Sequence, residues 1–194
     1  MSAEPPVKRR ADAERNIARI LDRAARLLAD DRNAGMVEIA VAAEVGRATL
    51  YRHFPTREVL IEAIDARAFD EAERAVAESR LDEDPAPVAL ERLLHALIEV
   101  GDRYRIISER PPAEPGHPRQ AREEHLAEPL FGLLARGRSE GAFRSDLPER
   151  WQLMVFHGVL RVAIRHVGDH GMTPEDAAAA ATTTLLDGLR APSA

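Results

Sequence analysis

Several kinds of residue and segment are missing from this sequence of 194 residues, and each absence excludes a class of protein. The chain has no cysteine, which excludes disulfides and thiolate metal sites. It has no run of about 18 apolar residues, so we expect no membrane-spanning segment. The basic residues near its start are followed by no apolar segment, so we expect no secretory signal and a cytoplasmic location.

Aromatic residues are also scarce, at 4% of the chain, and Lys8 is the single lysine. Alanine, leucine and arginine dominate instead, and this composition favours helix. The balance of 45% hydrophobic and 31% charged residues is typical of a globular protein. Since no segment alternates convincingly between apolar and polar residues, the sequence predicts an all-α fold of eight or nine helices.

The charge of the chain is unevenly distributed. The net charge is −6, which by itself argues weakly against a nucleic-acid partner. However, residues 1 to 57 hold 11 Lys or Arg against 8 Asp or Glu, whereas residues 58 to 194 hold 16 against 25. A basic first part and an acidic remainder indicate one part that meets a polyanion and another with a different task.

The apolar spacing and the turn residues predict the order of the helices. Residues 1–11 contain Pro5 and Pro6 and end in basic residues, so we expect a flexible basic arm. Helical spacing follows over about 12–31, and shorter helices over about 37–43 and 47–54, the last ended by Pro55. Further helices are predicted over about 57–79, 88–108, 119–139, 148–167 and 174–190, with a proline-bearing linker at 82–87.

The pair of short helices is the segment that carries recognisable chemistry. Leu50 and Phe54, at i and i+4, form the buried face of the second helix. Its other side and flanks then carry groups suited to bases and phosphates, namely Arg47, Ala48, Thr49, Tyr51, Arg52 and His53, and Arg57 follows at the start of the next helix. This pattern is typical of a helix-turn-helix that presents its second helix to the major groove. The alternative is a short, arginine-rich, solvated turn in a helical bundle.

Residues 37–60, VEIAVAAEVGRATLYRHFPTREVL, closely resemble the DNA-binding segment of the TetR/AcrR family of bacterial transcription regulators. The block ATLYRHFPTRE is similar to that family's recognition-helix signature, and ERNIARILDRAARLLADD to its first helix. The resemblance implies a helix-turn-helix DNA-binding domain at 12–56, a connecting helix at 57–80, and a C-terminal helical ligand-binding and dimerisation domain at 88–191.

The segment departs from the family pattern at four positions. Glu44 stands where glycine is usual in the turn, and a left-handed backbone there costs a non-glycine residue about 1 kcal/mol. Gly46 replaces the usual Ser or Thr cap, and glycine is an acceptable cap. Ala48 replaces a common glycine, and Arg57 replaces a common lysine while keeping its charge. These departures affect turn geometry and affinity rather than the family.

The C-terminal part supports the implied dimer and ligand pocket in outline. The stretch LMVFHGVLRVAI is apolar on nearly all sides, which predicts a dimer seam made with the last helix; the alternative is a core helix of a monomer. Candidate pocket residues are Leu94, Leu97, Tyr104, Leu130, Leu134, Trp151, Phe156 and His157. Each has a core role as its alternative. Glu91, His95, Glu99 and Asp102 share one helix face, where a solvated surface is favoured over a metal site.

We therefore expect a DNA-binding transcriptional regulator, acting as a repressor, that binds a palindromic operator as a homodimer and responds to an unknown small-molecule effector. No Gly-rich phosphate loop, nucleophile elbow or paired metal-ligand motif is present, so we expect no enzyme, no cofactor and no metal. The alternative is a helical protein–protein adaptor or small-molecule carrier whose helix-turn-helix no longer binds DNA.

Overall fold

The computed structural model describes residues 6–108, 110 and 113–190, without the side chains of 6–14, 169 and 170. Within these residues the all-α prediction is confirmed, and no helix is long and apolar enough to cross a membrane. An isolated antiparallel bridge joins Phe143 and Arg190. The helices are α1 Pro6–Asp30, α2 Met36–Ala42, α3 Arg47–His53, α4 Arg57–Glu78, α5 Ala86–Arg103, α6 Arg105–Ser108, α7 Pro118–Ser139, α8 Glu149–His170 and α9 Pro174–Leu189.

The chain divides into two compact units, Met1–Arg67 and Ala68–Ala194. The division falls inside α4, so this single helix contributes its first half to the N-terminal unit and its second half to the C-terminal unit. The linker predicted at 82–87 lies within the C-terminal unit, between α4 and the beginning of α5.

The N-terminal unit has a small core of aliphatic side chains. Ile20 and Leu28 on α1, Ile39 on α2, Leu50 on α3 and Ile64 on α4 are all completely buried. The helical spacing of these side chains places them on one face of each helix, so the helices pack together by their apolar faces. Burial of each such side chain stabilises the unit by roughly 1.5–3 kcal/mol relative to an exposed one.

The first helix begins earlier than the sequence indicated. Residues 6 to 11, which we predicted to belong to a flexible arm, are the first turns of α1. Pro6 suits the first position of a helix because its fixed φ is helical and its missing N–H would have had no partner there. The Lys, Arg and Ala residues that follow are strong helix formers. Residues 1 to 5 of the predicted arm lie outside the described residues.

The C-terminal unit is built around α5, whose buried face includes Leu90, Leu94 and Ile98. This face packs against α7, α8 and α9. Two glycines allow close approach of other side chains, since a Cβ on Gly101 would collide with Ile164 and one on Gly137 would collide with Phe143. The core of this unit is therefore closely packed around α5.

The helix predicted over 88–108 is interrupted at Tyr104. Its φ of −111° and ψ of 37° end α5, and the short helix α6 follows. The Ser108 hydroxyl donates to the carbonyls of Gly101 at 3.2 Å and Tyr104 at 3.5 Å, which supplies partners at the break. No glycine or proline stands at this position, so the interruption could not be predicted from the residues around it.

Arg92 stabilises the end of α4. Its guanidinium donates to the carbonyls of Ser79 at 2.7 Å and Arg80 at 3.0 Å, and also to the carboxylate of Asp84 at 2.6 Å. The backbone of Arg80 is left-handed, with φ of 43°, where the helix terminates. One side chain thus satisfies backbone acceptors that a helix end leaves without partners.

Candidate functional sites

The helix-turn-helix is formed by α2, residues 43 to 46 and α3. Leu50 is completely buried and Phe54 is 5% exposed, as their i, i+4 spacing predicted. Gly46 caps α3 with extended backbone, and its carbonyl accepts from the N–H groups of Thr49 at 2.9 Å and Leu50 at 3.1 Å. The apolar side of α3 therefore fixes which side of the helix faces solvent.

Glu44 occupies the left-handed position of the turn, as expected, with φ of 57°. The N–H of Glu44 donates to Val41 and that of Val45 donates to Ala40, both at 3.0 Å, so the turn is held by backbone hydrogen bonds. The Glu44 carboxylate lies 3.6 Å from the guanidinium of Arg23, with both side chains at least half exposed. The turn adopts the geometry that glycine would allow without strain.

The predicted DNA-contacting residues of α3 lie together on its accessible side. Thr49 and His53 are half-buried, and the exposed residues are Arg47, Ala48, Tyr51 and Arg52. The side chains of Arg47 and Arg52 form no hydrogen bond or ion pair with other residues that the structure describes. Their guanidinium groups are therefore available for a base edge or a phosphate.

Arg57, the predicted phosphate-contacting residue at the start of α4, has hydrogen-bond partners within the protein. Its guanidinium donates to the carbonyls of Arg32 at 2.5 Å and Ala34 at 3.4 Å, both in the segment that leads into α2. These hydrogen bonds hold the loop between α1 and α2, and the DNA-phosphate contact of Arg57 stays a prediction. Beside it, the backbone N–H of Glu58 and the Thr56 hydroxyl lower the pKa of the Glu58 carboxyl at the start of α4.

A cavity of about 310 Å³ lies in the C-terminal unit. Its walls come from the second half of α4 and from α5, α6, α7 and α8. The lining is mainly apolar; the side chains of this kind are Ala68, Phe69, Ala72, Val76, Leu93, Leu97, Val100, Tyr104, Ile107, Leu126, Ala127, Leu130, Phe156, Leu160 and Ile164. Its volume is at the lower end of the range of roughly 300–1,000 Å³ found for small-molecule sites.

The described part of the lining also includes polar and charged side chains, namely Ser108, Arg110, Arg119, Glu123, His157 and Arg161. Arg119 and Glu123 pair at 3.1 Å, and the N–H of Ala113 donates to the same carboxylate at 3.1 Å. The Tyr104 hydroxyl is oriented by a 2.8 Å hydrogen bond to Glu71, which also accepts from Arg103 at 2.7 Å. The cavity therefore combines an apolar body with a few placed polar groups.

His157 retains an exposed edge, although surrounding protein desolvates its imidazole. This desolvation lowers the pKa of His157, and the smaller effect of the Glu123 negative charge acts in the opposite direction. Its ring also meets the Phe156 ring edge-on, with centroids 5.9 Å apart. At neutral pH the imidazole is therefore uncharged, with one N–H donor and one acceptor nitrogen.

Five of the predicted pocket residues line this cavity: Leu97, Tyr104, Leu130, Phe156 and His157. The other three need correction. Leu94 and Leu134 are completely buried in the packed core away from the cavity. Trp151 is 56% exposed, because it precedes Phe156 by five positions and so points about 140° away around α8.

Sequence reasoning missed the contribution of α4 and the charged side chains of the cavity. The prediction drew candidates from three later helices and considered mainly apolar ones. The apolar spacing of Phe69, Ala72 and Val76 shows that α4 also has a face to bury in its second half. The arginines of the lining follow no such periodic pattern. They were not predicted to line a cavity, because an arginine on a helix is usually exposed to solvent.

An exposed apolar surface runs along α8. Trp151, Met154 and Val162 are 56%, 61% and 58% exposed. Beside them lies a groove of about 280 Å³ between α8 and α9, lined by Gly158, Val159, Val162, Ala163, His166, Met172, Ala177, Ala180, Ala181 and Thr184. Small side chains on α9 would allow another helix to approach its backbone closely.

The polar face of α5 contains Glu91, His95, Glu99 and Asp102. Glu91 and Glu99 are exposed, and Asp102 lies 3.4 Å from Arg105. In the part of the chain that the structure describes, no three His, Cys, Asp or Glu side chains converge as metal ligands would.

Comparison with known proteins agrees with the geometry of α2 and α3. The family model for bacterial regulatory proteins of the tetR family matches residues 20–64, which contain the helix-turn-helix. The HTH-type transcriptional repressor LfrR of Mycolicibacterium smegmatis is 27% identical over 176 residues, covering 91% of each chain. Residues 20–64 therefore match the DNA-binding domain of the TetR family, and the chain as a whole is similar to LfrR. This similarity supports a DNA-binding transcriptional regulator, and the relative named here is a transcriptional repressor.

Solved structures of other transcriptional regulators share the fold. The crystal structure of LfrR from Mycobacterium smegmatis in complex with proflavine has a TM-score of 0.73 at 26% identity, covering 90% of this chain and 96% of LfrR. The ketosteroid transcriptional regulator KstR2 of Mycobacterium tuberculosis has a TM-score of 0.71 at 19% identity, covering 90% and 94%. The second likeness shows the fold alone. Together they place the helix-turn-helix before a helical C-terminal domain.

Proposed function

We propose that the chain is an effector-responsive repressor that binds a palindromic operator as a homodimer. The observation that carries the DNA-binding part is the two-sided character of α3. Leu50 is completely buried on one side, while Arg47, Tyr51 and Arg52 are exposed on the other. An arginine in the major groove can bind the O6 and N7 atoms of guanine, and a tyrosine hydroxyl suits a phosphate oxygen.

The exposed apolar surface of α8 supports a homodimer. Three large apolar side chains, Trp151, Met154 and Val162, remain accessible on one helix beside the small residues of α9. A second copy would bury this surface by a two-fold arrangement in which the same patch meets itself. Two recognition helices related in this way bind half-sites about 34 Å apart, or a multiple of that distance.

The cavity supports a response to a small molecule. LfrR has been crystallised with proflavine, and by analogy we propose a small organic effector in the cavity of this chain. The effector would lower operator affinity only to the extent that it binds the DNA-free state more tightly than the DNA-bound state. A typical coupling of this kind is about 1–3 kcal/mol. We further propose that the chain catalyses no reaction and acts in the cytoplasm, where the chromosome lies.

The first test is binding of the purified protein to DNA from upstream of its own gene, followed by fluorescence anisotropy at several salt concentrations. Arg47→Ala and Tyr51→Ala should each weaken binding about 10-fold or more, since a good contact contributes roughly 1–3 kcal/mol. Loss of a phosphate contact should also reduce the slope of log affinity against log salt by about one.

Arg74→Ala is the matched control, because Arg74 is an exposed arginine on α4 in the C-terminal unit. It should bind DNA as the wild type does. All four proteins could bind this DNA weakly and alike. Selection from random DNA sequences would then show whether the upstream fragment lacks the operator or the helix-turn-helix does not bind DNA. Failure of both experiments would favour the adaptor or carrier, for which the cavity alone would be the functional site.

A further inference from the structure

We propose that the effector is an amphipathic anion, with an apolar body and a carboxylate- or phosphate-type head group. This inference rests on the proposed function, because it assigns a chemical class to the ligand of the cavity. It comes from the composition of the cavity wall, which combines many apolar side chains with several arginines, of which Arg161 is exposed to solvent.

The interior of the cavity selects an apolar body. Phe69 from α4, Leu97 from α5, Leu130 from α7 and Phe156 from α8 approach it from four helices. None of these side chains offers a hydrogen bond, and the Tyr104 hydroxyl is already engaged with Glu71. A polar ligand group placed among them would lose its water without gaining a partner. Hydrocarbon there gains about 25 cal/mol for each Å² removed from water.

Among the residues that the structure describes, the charged side chains of the lining are three arginines and one glutamate, so positive charge is in excess there. The single carboxylate, Glu123, is already neutralised within the protein. Arg119 lies 3.1 Å from one of its oxygens, and the N–H of Ala113 donates to the other. Because both oxygens are engaged, Glu123 is a poor partner for a cationic ligand.

Arg119 is also fixed by its surroundings. Its side chain is only 11% exposed, and its guanidinium lies 5.9 Å from the centroid of the Phe69 ring. Arg119 is therefore held in place by Glu123 and Phe69 and is not the arginine on which a head group would depend most.

Arg161 is the arginine best placed to receive a head group. It is exposed on α8, and its side chain forms no hydrogen bond or ion pair with other residues of the described part of the chain. It follows His157 by four positions, so the two side chains lie on the same face of the helix. The neutral imidazole can donate one N–H to an anionic oxygen while the guanidinium donates a second hydrogen bond.

The test uses three probes that share one hydrocarbon chain and differ in head group: decanoate, decanol and decylamine. Their binding to the full-length protein is measured by calorimetry without DNA. We expect decanoate to bind about 10-fold more tightly than decanol, and decylamine to bind most weakly, because hydrogen bonds to charged groups are the stronger ones. Tightest binding of decylamine, equal binding of all three, or no binding of decanoate would overturn the proposal.

Arg161→Gln should weaken decanoate about 10-fold and leave decanol unchanged, whereas Arg161→Lys should retain most of the decanoate affinity. Arg150→Gln is the matched control. Arg150 is exposed on a similar side of α8, but it lies eleven positions earlier, about 16 Å along the helix, and does not line the cavity. An equal loss of decanol affinity in Arg161→Gln would show damage to the cavity rather than loss of an anion contact, and would also overturn the proposal.

Operator release is measured separately with the same probes. Tight decanoate binding without any loss of DNA affinity would contradict the proposed effector response but leave the ligand class intact. Release of DNA by decylamine or decanol in preference to decanoate would support the effector response and contradict the ligand class.

Discussion

Glu44 places a strained residue at the centre of the DNA-binding segment. A φ of 57° brings the Cβ of any L-residue close to its own backbone, and glycine avoids this contact. The ion pair with Arg23 compensates little, because the separation is 3.6 Å and both side chains are at least half exposed. The turn hydrogen bonds that fix the backbone of Glu44 and Val45 do not depend on the Glu44 side chain.

We expect Glu44→Gly to raise the free energy of unfolding by about 1 kcal/mol, because it removes the Cβ from a left-handed position. The measurement is the midpoint of chemical denaturation. Glu44→Ala is the control, since it also removes the carboxylate but keeps the Cβ, and it should not stabilise the protein. Equal stabilities of the Gly and Ala variants would show that the turn is not strained.

The lowered pKa of His157 makes stability depend on pH. The unfolded chain takes up the imidazole proton at a higher pH than the folded chain does. The contribution of His157 is therefore complete above its unfolded pKa of about 6.5, and it declines as the pH falls from there towards the lowered folded value.

We expect the melting temperature to fall less between about pH 7.5 and 5.5 in His157→Gln than in the wild type, because the variant lacks this proton uptake. His125→Gln is the control, since His125 is exposed and does not line the cavity. If the melting temperatures of the wild type and His157→Gln changed identically with pH, His157 would not be the cause of the pH dependence of stability.

At the scale of elements, the sequence was most informative where a helix has two unlike sides. The i, i+4 spacing of Leu50 and Phe54 predicts which side of α3 is buried, and with it the exposure of Arg47 and Arg52. The left-handed backbone at Glu44 was likewise expected from local chemistry. These features depend on residues close together in the chain.

Features that depend on distant partners were not predictable in this way. Arg57 has the charge of a phosphate-binding residue, but carbonyls more than twenty residues earlier accept its hydrogen bonds. The break at Tyr104 carries no local breaker, and its side chain meets Glu71 from another helix. The lining of the cavity depends on how the helices pack against one another. Local patterns in a single sequence do not predict that packing.

The end of α4 provides a prediction at this scale. Arg92→Ala should lower the free energy of unfolding by about 1–3 kcal/mol, because the carbonyls of Ser79 and Arg80 lose charge-assisted hydrogen bonds. Thermal denaturation would measure the loss. Arg80→Ala removes only an exposed ion pair with Glu83 and should change stability by less than about 1 kcal/mol. Comparable losses in the two variants would argue against the capping role.

The whole molecule is expected to be a dimer through the exposed surface of α8. Met154→Glu combined with Val162→Glu would place like charges on both copies of a self-complementary surface. We therefore expect the double variant to be a monomer by light scattering and to lose at least about 10-fold in operator affinity, since one recognition helix would bind alone.

Val88→Glu is the matched control for this experiment. Val88 is a similarly exposed apolar residue, at 47%, but it lies on α5, outside the groove between α8 and α9. It should remain dimeric and bind DNA normally. A dimer that survives the α8 substitutions would place the contact between copies elsewhere.

The position of the boundary between the two units also determines how the chain responds to proteases. The boundary lies within α4, between Arg67 and Ala68, and not in a loop. A protease needs an extended, accessible backbone, so cleavage there requires local unfolding of the helix. Although Arg67 is a tryptic site by sequence, its ion pair with Asp22 at 2.8 Å further restrains it. The N-terminal unit is therefore protected from release by a single cut at its own boundary.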